Sequence, residues 1–389
     1  MASYISSNAN RFYVAVEDSY GHAAQIVATN RFPAVKLQAH QVLEKSRRVD
    51  KTGTRTFPGR STYARRQTAF EVRTYLTSWN GLGEPSYGPL FEAALGAAGQ
   101  PNGGLILGDA DGDTQLKTTT AHGLSFGSAI SYSNEIRFVT AVPDAFTVVI
   151  NAPFTNPPAA NAALAQAITY RLSTALPSVS LYDFWDPATA VSRIVTGAAI
   201  DVFVVSIDGD FHEFAFSGPA ADLLDSSSFF GVPAGLAAFP AEPALTDFDY
   251  SIVPGHLGEV WLGSTANQFF TLTKASLEVK NNLDVRNHEF GSSYPTAIAP
   301  GMRQVACNFT LLAEDDAQTT ALYAAAKQRT SISAMLQLGR QQGQLMGLFL
   351  PAVTPEIPNY NDSETRLQWE FKNNLAQGTS NDEIYIGFA

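Results

Sequence analysis

Residues 67–76 alternate strictly: Thr68, Phe70, Val72, Thr74 and Leu76 fall on one side of an extended chain, and Gln67, Glu71 and Arg73 on the other. A period of two marks a strand with one buried face. Such a strand needs neighbours at its edges and a cover over its apolar side. Residues 303–312 repeat the pattern, with Val305, Cys307, Phe309 and Leu311 set against Gln304, Asn308 and Thr310. A one-residue slip would invert every side chain, so agreement of parity carries more weight than the few identities. The flanks match as well. Residues 43–50 line up with 277–284, and 90–94 line up with 322–326 on a short helix. The shared unit reads strand, long loop, strand, helix, over about 43–96 and 277–329. Amphipathic strands recur in any β protein, so chance similarity is the alternative to duplication.

The remaining pattern is also β-rich. Strands are expected over 11–17 and 35–43, and a loop punctuated by Gly53, Pro58 and Gly59 follows. A helix at 89–95 has its proline near the start and Gly96 near the end. Short strands at 104–107, 129–132, 136–140 and 146–150, separated by turns, suggest a small barrel-like module, and 154–166 reads as a loop or linker. Residues 200–207 and 211–216 form a hairpin about Asp208 and Gly209. Residues 218–248 read as loop. Strands follow between 259 and 283, at 303–312, at 367–371 and at 383–388, with a helix over 316–329. The fold class expected is all-β with minor α, in two domains at 1–175 and 176–389, with 104–156 as a candidate small β-barrel insertion.

The chain of 389 residues has a net charge of −11 and a pI near 5.0, which argues against bulk affinity for nucleic acid. Cys307 is the one cysteine, so no intrachain disulfide can form. The opening residues lack a basic and apolar leader, and no apolar run reaches the roughly 18 residues of a membrane helix, so a soluble protein made in the cytoplasm is expected. Positive charge is concentrated in 46–66, where Arg47, Arg48, Lys51, Arg55, Arg60, Arg65 and Arg66 face one acid, Asp50. Such a loop either docks on an acidic surface or is simply solvated. Acidic candidates are Asp222, Asp225, Asp247, Asp249, Glu314, Asp315 and Asp316.

Signals for chemistry are weak. Residues 109–113 begin like a calcium loop, but Gly112 stands fourth and the twelfth residue is Thr120, so a solvated turn is the better reading. The six histidines are scattered, without a metal-binding spacing. His212 and Glu213 are strand neighbours that face opposite ways. Asp183 and Asp186 around Trp185 are too ordinary a pair to indicate a glycosidase. Neither a nucleophile elbow nor a phosphate-binding loop is present. Cys307 reads as core. No enzyme, metal or cofactor is expected.

Residues 12–21 (FYVAVEDSYG), 59–76 (GRSTYARRQTAFEVRTYL) and 88–96 (GPLFEAALG) resemble tail tube (major tail) proteins of tailed bacteriophages. So do 209–218 (GDFHEFAFSG), 253–258 (VPGHLG) and 283–292 (LDVRNHEFGS). The resemblance spans most of the chain in layout, and no single motif is diagnostic. It implies β-sandwich or barrel domains, each with a flanking helix, that build stacked rings around a channel for viral DNA. With two such domains per chain, a homotrimer of pseudo-sixfold symmetry is implied, or else a homohexamer. The cationic loop would dock on the next ring, and Gln67, Glu71, Arg73, Gln304, Asn308 and Thr310 would face the lumen or an interface. The lumen would be net negative, since a conduit must not grip phosphate. Tape measure, tail terminator and distal tail or baseplate proteins would be partners. DNA would pass without specific binding, and the site of action would be the virion tail after assembly in the bacterial host cytoplasm. A distal tail or baseplate hub protein is the runner-up, and a carbohydrate-binding adhesin stands for another class.

Overall fold

The computed structural model describes residues 4–44, 51–56, 65–79, 83–110, 113–187, 189–245, 251–263 and 267–389. The chain opens with β1 (Asn10–Val16), β2 (Arg31–Phe32), β3 (Ala34–Glu44), β4 (Arg65–Tyr75) and α1 (Gly88–Leu95). Seven short strands follow: β5 (Gln100–Asn102), β6 (Leu107–Ala110), β7 (Gln115–Thr118), β8 (Ala129–Tyr132), β9 (Glu135–Asp144), β10 (Thr147–Ile150) and β11 (Ala167–Arg171). Next come β12 (Val179–Trp185), β13 (Arg193–Ala198), β14 (Val202–Ile207), β15 (His212–Ala220) and β16 (Asp222–Asp225). The rest of the chain carries β17 (Gly258–Gly263), β18 (Asn267–Gln268), β19 (Leu272–Lys280), β20 (Asp284–Arg286), β21 (Ala297–Ala299), β22 (Gln304–Leu312) and α2 (Ala317–Gln328). It ends with β23 (Ile332–Leu338), β24 (Met346–Thr354), β25 (Asn359–Asn361), β26 (Gln368–Phe371), β27 (Leu375–Ala376) and β28 (Tyr385–Phe388). The fold is mostly β with little helix.

The pairings describe one topology used twice. In the first copy β3 pairs with β4 and β4 with β15, which forms a hairpin with β14. In the second, β19 pairs with β22 and β22 with β26, which forms a hairpin with β25. A second layer repeats as well. β2, β1, β12, β13 and β16 are neighbours in that order, and so are β18, β17, β23, β24 and β28. Each helix follows the second strand of its copy. In the second copy β26 and β27 together occupy the place of β15, interrupted at Asn373, whose φ is +60°. The two copies join through β14 and β19, giving one path β3-β4-β15-β14-β19-β22-β26-β25.

Four expectations need correction. The boundary at 175/176 falls inside the first copy, because β1 pairs with β12 and β4 with β15 across it. The first copy runs from β1 to β16, and the second from β17 to β28. Residues 43–50 do not correspond to 277–284 as aligned. Gln67 and Gln304 are equivalent, and their partners are Val42 and Lys280, so the first strands match four residues away from the sequence alignment. A slip of four preserves parity, and alternation alone cannot detect it. Residues 218–248 are not all loop, since β15 extends to Ala220 and β16 follows. The expected strand at 104–107 is mostly loop as well: the first strand there starts at Leu107, and Gly104 has φ +68°.

The main core lies between the two layers and runs through both copies. Its hub is Phe91 of α1, whose ring meets Phe203, Phe214, Phe216 and Phe388 at 5.0–5.4 Å in edge-to-face contacts. The second layer has another apolar face directed away from this core. In the first copy Tyr13, Tyr182, Phe184, Ile194 and Leu224 lie there, covered by Ala234, Phe229 and Phe239 from residues 226–245. In the second copy Trp261, Met335, Phe349 and Tyr385 lie there, covered by the inserted module. That module, β6-β7-β10-β9-β8, has a core of its own around Leu116, Ile130, Val139 and Val148. Gly387 lets it lie close, because a Cβ there would stand 2.5 Å from the Cβ of Ala129.

Candidate assembly surface

The eight-strand path has one face on the core and one toward solvent. Strand pairing keeps opposite residues on the same side. Val42, Gln67 and Pro219 therefore belong to the solvent face, with Ser217, Glu71 and Val202 in the same series. Gln67, Glu71, Arg73, Gln304, Asn308 and Thr310 all lie on this face, which brings the six polar-face candidates onto one surface. The register of the two second strands reproduces the expected parity: Thr68, Phe70, Val72 and Thr74 are buried, as are Val305, Cys307, Phe309 and Leu311.

Charges on this face are mixed and largely paired. Arg73 bonds Glu71 at 2.6 Å and reaches Glu213 on β15 at 3.5 Å. Lys280 pairs with Glu278 at 3.0 Å, and Gln67 donates to Glu44. Asn308 accepts the main-chain N–H of Asn373 at 2.7 Å, which anchors the interruption between β26 and β27.

Both long connections leave the sheet at the same end. Tyr75 lies opposite Glu213, Ile207 opposite Ala275, and Leu272 opposite Leu311, so the 44/65 end of the first hairpin coincides with the 280/304 end of the second. The connections touch there, with the Arg66 N–H donating to the Ser293 carbonyl at 2.7 Å. Helix starts and the exposed acids Asp208, Asp210, Glu314 and Asp315 lie at the opposite end.

The cationic candidates divide. Arg47, Arg48 and Arg60 lie outside the described residues, as do Asp50, Asp247 and Asp249. Lys51 and Arg55 are exposed at the loop end, and Arg65 stands opposite Glu44. Arg66 is held within its own chain, donating to both carboxylate oxygens of Asp222 at 2.8 and 3.1 Å. Asp222 is buried and also accepts from Gln41 at 2.7 Å, so this pair stitches β3 and β4 to β16 and is spent inside the molecule. Asp225 is likewise engaged: the hydroxyls and N–H groups of Ser227 and Ser228 pull its pKa down to about 2. Asp316 caps α2 by accepting the Thr319 N–H at 2.6 Å. Among the described residues, Glu314 and Asp315 are the exposed acids of the expected set.

The other side chains singled out in the sequence have these surroundings. His212 is buried with Nε2 3.4 Å from the Leu257 carbonyl, and burial lowers its pKa. Asp183 is held by Arg193 at 2.6 Å, and Asp186 by Arg11 at 3.2 Å. Burial pushes the Cys307 thiol up to about 12. Among the described residues no three acids, histidines or cysteines gather as a metal site.

The sheet ends are the features that the sequence reading missed. β3 closes one end of the path, with β4 as its one strand neighbour among the described residues. Eleven residues long and free of proline, it exposes Val35, Val42 and Leu43. β25 closes the other end, with Tyr360 59% exposed and stacked on Trp369. Apolar residues on an unpaired edge were the available signal, and the motif Asn359-Tyr360-Asn361 after Pro355 and Pro358 was too short to stand out. No family model matches the chain, and no curated protein matches it.

Proposed function

We propose that this chain is a structural subunit that joins copies of itself into rings and stacks those rings into a tube, the role implied by its resemblance to phage tail tube proteins. The observation that carries this reading is the one shared sheet. Two copies of a topology sit side by side in the same sense; β27 carries the sheet on from β22 to β24 of the other layer, and the eight-strand path itself ends on two strands with an open edge, β3 and β25. A long, exposed edge with apolar side chains is an aggregation hazard in a monomer and a joint in an assembly. Head-to-tail joining of unlike edges closes rings when the rotation permits, and stacking extends them.

The solvent face suits a channel wall. Its charges alternate in sign and are paired mostly within strands, so it offers no dense cationic track for phosphate. On this reading the lumen would be mixed and nearly balanced in charge, where a net negative one was expected. The two ends suit stacking: Lys51 and Arg55 stand at one end, and Asp208, Asp210, Glu314 and Asp315 at the other. Tail terminator, tape measure and distal tail proteins are the partners this role requires. The job is mechanical, in a virion tail, without catalysis.

Negative-stain microscopy of the purified chain tests the reading. Long hollow tubes are expected. Single rings would favour the distal hub, and dispersed monomers that bind a glycan would overturn the proposal. Added salt should shorten the tubes through loss of stacking while leaving rings intact.

A further inference from the structure

The joint between the two copies is a template for a joint between molecules. Inside the chain, β14, which ends the first copy's part of the eight-strand path, pairs with β19, which begins the second copy's part, through six residue pairs from Val202↔Lys280 to Ile207↔Ala275. The free edges belong to the same two kinds of strand. β25 ends the second copy's part of the path, and β3 begins the first copy's part. Each copy therefore presents to the outside what its sister satisfies inside.

Equivalence fixes the register. Arg73 and Thr310 are matched, and they face Ala215 and Glu370, so these two also correspond. Ala215 faces Val204 and Glu370 faces Asn359, which places 359–361 on 204–206. On the other side, Val42 and Lys280 face the matched Gln67 and Gln304, which places 38–40 on 276–278. The internal joint sets Val204 opposite Glu278, Val205 opposite Leu277 and Ser206 opposite Ser276. Resting on the self-assembly reading, we infer that β25 of one molecule pairs antiparallel with β3 of the next. Asn359 then lies opposite His40, Tyr360 opposite Ala39 and Asn361 opposite Gln38.

The side chains fit this register. Tyr360 is large, exposed and backed by Trp369 at 5.8 Å, and it meets Ala39, a small and partly buried inward residue of β3. An exposed aromatic opposite a small residue is the composition of an interface anchor. On the solvent side Asn359 and Asn361 meet His40 and Gln38, each able to donate and accept. Pro355 and Pro358 lack an N–H and confine β25 to three residues, so the external joint is shorter than the internal one.

Engineered disulfides test the register. Facing residues of an antiparallel pair have Cα atoms about 4.5–5.5 Å apart, within disulfide range. The full chain carrying Asn361→Cys and Gln38→Cys, mildly oxidised after assembly, should lose its monomer band to a ladder or a closed species on a non-reducing gel. Ser206→Cys with Ser276→Cys is the internal control and should close within one chain. Asn361→Cys with Ala39→Cys puts the thiols on opposite faces and should leave the monomer band intact. Rings or tubes by microscopy that cross-link through the Ala39 variant, or through neither, would overturn the register while sparing the assembly reading. A folded, monomeric chain with the internal control closed would overturn both.

Discussion

The two copies agree in what they bury toward each other and differ in what covers their backs. Toward the shared core, both offer alternating β-branched, aromatic and small residues in matched register. Away from it, the first copy is closed by a strap of its own chain. Glu242 in that strap accepts from Arg11 at 2.6 and 2.7 Å and from Tyr13 at 2.9 Å. The second copy is closed by a module inserted in the first, clasped by Arg137. That guanidinium is fully buried, lies 4.1 Å over the Trp261 ring, donates to Gln337 at 3.1 Å and pairs with Glu135. The topology is thus held by the inner faces, while the outer faces have been free to acquire different covers.

The largest effect that could break this comparison concerns the helices. α1 buries Leu90, Phe91, Ala93, Ala94 and Leu95 at the hub, while α2 buries Thr319, Leu322 and Ala326. Phe91→Ala should cost about 4 kcal/mol in urea unfolding and Leu322→Ala about 2. Equal costs would mean that the helices play equivalent parts. Next comes the clasp. Arg137→Ala leaves Glu135 buried without its cation and should weaken module docking by about 3 kcal/mol. Hydrogen exchange should then rise over 100–171 and on the back of β17 and β23, with the first copy's strap unchanged. Uniform protection would show that the apolar contacts alone hold the module.

Smaller effects sharpen the contrast between the internal and external joints. Tyr360→Ala should weaken association by about 2 kcal/mol per joint, raising the critical concentration for assembly roughly thirtyfold, without moving the unfolding midpoint. An unchanged critical concentration, measured by light scattering, would remove Tyr360 from the joint. The smallest effect is a pH dependence in the first copy. Asp225 begins the strap and titrates near 2 instead of 3.8. A depressed carboxylate contributes stability above its unfolded pKa and loses it as pH falls from 3.8 through about 2. The group is partly exposed, so screening limits the contribution to about 1 kcal/mol. Asp225→Asn should flatten that acid limb and loosen 226–245 at neutral pH, and an acid limb identical to the parent's would discount the turn.

What the sequence made legible follows from exposure. β4 and β22 have one wet face, so alternation shows them and their parity. The ends of α2 are written in Asp316 and the helical run up to Arg329. β12, β13, β23 and β24 were not anticipated because they are covered on both sides. Their burial is nearly continuous, which erases the period of two. With those strands unseen, the division between copies was set too early in the chain. The six polar-face residues were readable from parity, whereas Arg66 was misread as free because its partner Asp222 is distant in sequence.

The β14–β19 joint has a kinetic consequence. Its two halves are tethered through residues 208–271, so they meet at an effective concentration set by that connection, whatever the dilution of the protein. In a ring made from such chains, half of the seams would form as each polypeptide folds, and encounters between molecules would govern only the other half.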